Sequence, residues 1–156
     1  MNARISCYVA GPYGASTATE IEVNVSRALQ LGRWAVAAGF APIVPHLLGA
    51  AELYGCAKEQ DDGTSRRVAL ECGISGARTV ALAGGVFLGI VREDGSLSSG
   101  TQAEFDAYLV PTRTTVRAVL HTWETWKHRH EELLHQLSEE AGPGFFIHTV
   151  MSGSTP

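Results

Sequence analysis

Cysteine, charge and long apolar runs are all scarce in this chain, and each scarcity removes a class of explanation. The three cysteines, Cys7, Cys56 and Cys72, are odd in number and lack CxxC spacing, which argues against a disulfide framework or a thiolate zinc site. Two of them lie among apolar neighbours, where a thiol behaves as a small hydrophobe. A reduced, cytoplasmic protein is expected. Charged residues make up 18% of the 156 and the formal net charge is -4, so there is no broad basic surface to track a phosphate backbone. That disfavours a nucleic-acid polymer as partner but not a single nucleotide. No apolar stretch approaches the roughly 18 residues that span a bilayer, and Met1-Asn2-Ala3-Arg4 leads into a strand-like run, not a signal-peptide core. Neither membrane insertion nor export is expected.

Cofactor fingerprints are missing too. The loop after the first apolar run has neither the GxGxxG pattern nor the Walker lysine, so nicotinamide cofactors and ATP have no specific support. His128, His130, Glu131 and His135 crowd one segment near the end, but without HExxH order they read as a charged, solvent-facing helix. Neither a metal nor an organic cofactor is expected.

What is present is an alternation of strands and helices. Residues 5–10 form a short, nearly continuous apolar run ending at Gly11-Pro12, as in a parallel strand buried on both faces. Residues 19–38 carry Ile21, Val25, Ala28, Leu31, Ala35 and Val36 near helical spacing, with Gly39 as the stop. A second strand is predicted over 41–45, and His46 emerges just past its end. Residues 47–63 read as an excursion, followed by a helix over about 65–77. Residues 79–91, rich in Val, Ala, Leu and Ile but broken by Gly84-Gly85 and Gly89, read as one bent or shortened strand. A helix then reaches about Leu109, with a strand over 115–121, a helix over 123–141 and a last strand over 145–150. The expected fold is α/β: a single-domain, flavodoxin-like (Rossmann-like) three-layer sandwich on a mostly parallel, about five-stranded sheet. The domain spans 1–150, and 151–156 is a loose tail.

Two small-residue turns fall at the carboxyl edge of that sheet, where strand-end loops and helix N-termini meet ligands. One is Tyr8-Val9-Ala10-Gly11-Pro12-Tyr13-Gly14. The other is Ser98-Ser99-Gly100-Thr101-Gln102-Ala103-Glu104, which opens a helix and sets a carboxylate inside it. Gly11 lets backbone approach a ligand and Pro12 stiffens the turn, while Tyr13 offers an aromatic face. The backbone N–H groups of residues 13–16, with the hydroxyls of Ser16 and Thr17, are expected to form an anion nest.

These turns, with Asn24, Gly39 and Pro45-His46 between them, resemble the nucleoside 2-deoxyribosyltransferase superfamily, which includes 2'-deoxynucleoside 5'-monophosphate N-glycosidases and uncharacterised phage and bacterial members. The resemblance runs from about Ile5 to Leu109. It implies that Glu104 is the nucleophile attacking the anomeric carbon and Tyr8 the residue that orients it, by the logic of retaining glycoside hydrolysis. It further implies a substrate-binding set of Gly11, Pro12, Tyr13, Gly14, His46, Ser98 and Gly100. Transferases of the superfamily usually carry aspartate at the Ser98 position, and the nucleotide glycosidases carry a phosphate-contacting serine. The first loop has Gly14 where those glycosidases have arginine, and the helical aspartate of the family falls in register with Leu70 or Glu71, which makes Glu71 the candidate acid for base departure. Ala77-Arg78 replaces a common Ala-Asp.

The resulting expectation is hydrolysis, or sugar transfer, at the N-glycosidic bond of a nucleoside or its 5'-monophosphate, by a homo-oligomer without cofactor. The rival expectation is a non-catalytic nucleotide-binding or sensing domain of the same fold.

Overall fold

The computed structural model describes residues 3–46, 64–111, 116–139 and 145–149. The excursion over 47–63 and the tail over 151–156 lie outside those residues, as does Cys56. The chain runs β1 (Ile5–Ala10), α1 (Ala18–Ala37), β2 (Phe40–Ile43), α2 (Thr64–Leu82), β3 (Val86–Val91), α3 (Ser99–Leu109), β4 (Val116–Thr122), α4 (Trp123–Glu139) and β5 (Phe145–Thr149). The strands lie in the order β2-β1-β3-β4-β5, and every neighbouring pair is parallel. This α/β arrangement is compatible with the Rossmann-like expectation.

Helices cover both faces, α1 touching α4 and α2 touching α3. Successive strand residues point to opposite faces, so β1 divides its side chains between two cores. Cys7 and Val9 join Leu88, Ile90 and Val119 beneath Leu31 of α1 and Trp126, Leu133 and Leu137 of α4. Tyr8 and Ala10 join Phe87, Ala118 and Leu120 beneath Ala77 and Val80 of α2 and Phe105 and Tyr108 of α3. That parity turns Tyr8 toward α3. Two polar groups buried among these side chains have partners. Trp126 Nε1 donates to the Gly89 carbonyl at 2.9 Å and Tyr108 Oη donates to the Gly85 carbonyl at 2.9 Å, as a close-packed interior requires.

Local signals set the helix ends. Thr17 caps α1 in a reciprocal capping box with Glu20, and Gly39 at φ +94° closes it. The expected strand over 79–91 is corrected: α2 continues to Leu82, and the strand is confined to Val86–Val91. Gly84, at φ +70°, is the stop. Its N–H donates to the Ala81 carbonyl and that of Gly85 to the Val80 carbonyl, the paired bonds of a Schellman ending. Thr79-Val80-Ala81-Leu82 thus belongs to a helix whose inner face is buried, a setting that favours the same residues as a strand. β2 likewise begins earlier than expected, at the buried Phe40.

The strand order places the site. β1 has β2 on one side and β3 on the other, so the loops leaving β1 and β3 diverge and open a crevice at the carboxyl edge. Gly11 follows β1, Pro45-His46 follows β2, and residues 92–98 follow β3 on the way to α3. Among the described residues no helix is long and apolar enough to cross a membrane.

Candidate functional site

A cleft of about 450 Å³ occupies that crevice, lined from the β1 side by Gly11, Tyr13 and Gly14 and from the α3 side by Ser98, Gly100, Thr101 and Glu104. This volume suits a small organic ligand. Ser98 is the N-cap of α3, its Oγ accepting from the Thr101 N–H at 3.2 Å. The cap sets the helix phase, and Thr101, Glu104, Phe105 and Tyr108 then fall on its buried inner face, at the i, i+3, i+4, i+7 spacing of one side.

Glu104 is 7% exposed. Tyr8 Oη donates to its Oε1 at 2.8 Å, so the structure brings together the two residues from opposite ends of the resemblance. Burial raises the Glu104 carboxyl from the ordinary carboxylate range to about 7, and the Tyr8 hydrogen bond opposes that rise. Tyr8 itself is fully buried and stacks on Phe87 at 5.6 Å. Burial, then the neighbouring carboxylate, pushes its hydroxyl pKa upward, so it stays a donor.

His46 stands at the same edge, after β2. It lines the cleft at 5% exposure, and its Nε2 donates to the Gly11 carbonyl at 3.1 Å, since a carbonyl only accepts. Burial lowers its pKa and keeps the ring neutral. The Tyr13 ring tilts over it at 5.8 Å, and Asn24 Nδ2 ties the Tyr13 carbonyl to α1 at 3.4 Å. Pro12 is half-buried in the turn and is not among the lining residues.

Two expectations are corrected. Glu71 does not line the cleft; its side chain is 67% exposed and faces Arg67 at 3.9 Å. Two residues further along α2, Gly73 is buried against Glu104 and Tyr8, and two helical positions differ by about 200° in direction, so Glu71 points away. The hydroxyls assigned to an anion nest are also committed elsewhere. Ser16 Oγ and Thr17 Oγ1 each donate to Glu20 Oε2 at 3.0 Å, which puts a carboxylate at the α1 N-terminus and holds it below the usual range.

Arg67 and Arg92 line the cleft and were not singled out from the sequence. Arg92 directly follows β3, the position where a strand end delivers side chains to this edge. Arg67 lies one turn before Leu70 on α2, and both line the cleft. Of the histidines near the C-terminus, His128 pairs with Glu124 and His135 with Glu139 on the outer side of α4, and His130 stacks on Trp34 at 4.0 Å.

Comparison of the chain with protein-family models, curated proteins and solved structures finds no match.

Proposed function

We propose that the protein cleaves the N-glycosidic bond of a nucleoside 5'-monophosphate, with Glu104 as nucleophile and Tyr8 as the donor that orients it. The observation that carries this reading is the 2.8 Å Tyr8–Glu104 hydrogen bond at a cleft of ligand size. The bond occupies Oε1 and leaves Oε2 for attack. The Oε2–C1' bond forms as the C1'–N bond breaks, its electron pair passes to the base nitrogen, and the departing base takes a proton from water. A second water then attacks C1' and yields its proton to the hydroxide left by the first, the C1'–Oε2 bond breaks, and the sugar phosphate departs with the carboxylate restored. No cofactor takes part.

Arg67, Arg92 and Ser98 at the same cleft favour the monophosphate over the bare nucleoside, because guanidinium groups suit phosphate oxygens. Ser98 by the resemblance also favours hydrolysis over transfer. Assembly into a homo-oligomer belongs to this reading. The test is a panel of deoxynucleosides, ribonucleosides and their 5'-monophosphates incubated with the protein, with free base measured by chromatography. Base release confined to the monophosphates fits the proposal.

The second reading, a nucleotide sensor, draws on the outward position of Glu71. Among the described residues Glu104 is the one carboxylate that lines the cleft. No base from any substrate, together with thermal stabilisation by a monophosphate, would favour it.

A further inference from the structure

Gly73 is a residue without functional groups that faces the two most functional ones. An ideal Cβ built on it would lie 2.9 Å from Tyr8 Oη and closer still to Glu104 Oε1, inside the 3.0 Å that real Cβ contacts essentially never breach. Three residues along, a Cβ on Gly76 would meet the Tyr8 ring edge at 3.2 Å but not the carboxylate. α2 therefore lays bare backbone over the Tyr8–Glu104 pair. Gly73 itself is buried, whereas Val68 and Leu82 on the same helix are exposed. A mid-helix glycine costs about 1 kcal/mol relative to alanine, and at Gly73 the helix carries that cost where a methyl group would strike both members of the pair.

We propose that Gly73 is a positioning residue: its missing side chain lets the α2 backbone close over Glu104 and Tyr8, fixing the carboxylate against the phenol and keeping water from it. This deepens the glycosidase reading and rests on it for its catalytic meaning. Charged and titratable groups reach the surroundings of Glu104 from several elements: Tyr8 on β1, His46 after β2, Arg67 on α2 and Arg92 after β3. Of these, Tyr8 is bonded to Glu104, and burial outweighs its effect on the carboxyl. A methyl group at position 73 pushes the carboxylate out into the cleft, where water solvates the charge. The Glu104 pKa then falls toward its ordinary value, because the lost desolvation exceeds the lost hydrogen bond.

The experiment is a carbon-13 carboxyl NMR titration of the full chain, comparing the parent with Gly73→Ala and Gly76→Ala. Gly73→Ala is expected to lower the Glu104 midpoint by at least one pH unit, and Gly76→Ala to leave it in place. An unchanged midpoint in Gly73→Ala, or an equal fall in both variants, overturns the proposal. Should Gly73→Ala fail to fold, the same substitution is made in a Tyr8→Phe/Glu104→Ala background, which lacks both oxygens in its path. Recovery of folding there supports the proposal, and failure in that background overturns it. The titration reads position without turnover, so it stands apart from the glycosidase reading. If the parent releases no base, that reading fails alone; if base is released, Gly73→Ala is expected to cost at least tenfold in kcat, with the acid limb of the pH profile moved downward.

Discussion

Tyr8 and Glu104 are 96 positions apart in the chain and 2.8 Å apart in space. Strand parity brings them together, turning Tyr8 to the α2–α3 face, and the Ser98 cap sets the phase of α3. Neither residue approaches the other through local structure, so their hydrogen bond is a product of the parallel topology. Its chemical interest lies in the environment: a buried carboxylate bonded to Tyr8 and close to the backbone of α2, in a cleft also lined by two arginines.

A buried carboxyl held at about 7 is a stability cost at high pH. The folded pKa lies above the unfolded value of about 4.5, so the folded state binds more protons between those limits. Stability is therefore fullest below pH 4.5 and falls as pH rises through 7, by up to about 3 kcal/mol. Glu104→Gln keeps the shape and accepts the Tyr8 bond without the charge. It is expected to melt several degrees above the parent at pH 8 and level with it near pH 4, as followed by circular dichroism.

Removing the Tyr8 hydroxyl should move the pH profile in a known direction. The hydrogen bond favours the charged carboxylate, so Tyr8→Phe raises the Glu104 pKa further and moves the acid limb of kcat/KM to higher pH. The expected loss is about 10- to 100-fold at pH 6 and smaller at pH 8, from a bond to a charged group of about 1.5–3 kcal/mol. A pH–rate profile checks it; an unmoved acid limb would count against the orienting role.

The arginines should discriminate between substrates. Arg92→Ala is expected to raise KM for a 5'-monophosphate about 5- to 10-fold, as suits a solvent-accessible ion pair of about 1 kcal/mol, and to leave the matching nucleoside nearly unaffected. Steady-state kinetics on both substrates measures the difference. Equal losses on the two would argue against phosphate contact.

Thr17 serves as a control outside the chemistry. Thr17→Ala removes the α1 cap and should destabilise the protein by about 1 kcal/mol in urea unfolding while leaving base release intact.

Much of the fold was legible because the strands are largely apolar and glycines mark helix ends. The limits of β3 were not, since Val, Ala and Leu suit both a buried helix face and a strand, and only Gly84 at positive φ separates the two. Read from the sequence, the first helix starts at residue 19 and Ser16 and Thr17 are anion-nest hydroxyls; the structure joins Thr17 and Glu20 in a capping box, which turns those hydroxyls away from an anion. Glu104, His46 and Ser98, which carry chemistry and stand in motifs, line the cleft, and Tyr8 bonds to Glu104. Glu71 carries a carboxylate in register with the family's helical aspartate, yet helical geometry turns it outward and puts Gly73 at the pair, and a glycine announces no chemistry. Arg67 and Arg92 come to the cleft from separate elements, outside either turn, so no local pattern joined them.

The central claim is that Glu104 attacks the sugar. Its most direct test is a slow deoxynucleoside 5'-monophosphate bearing a fluorine that delays release of the glycosyl-enzyme, followed by peptide mass spectrometry. The account predicts a sugar-phosphate adduct on Glu104, absent from Glu104→Ala, which should release no base above background. An adduct on another residue, or full base release by Glu104→Ala, would contradict it.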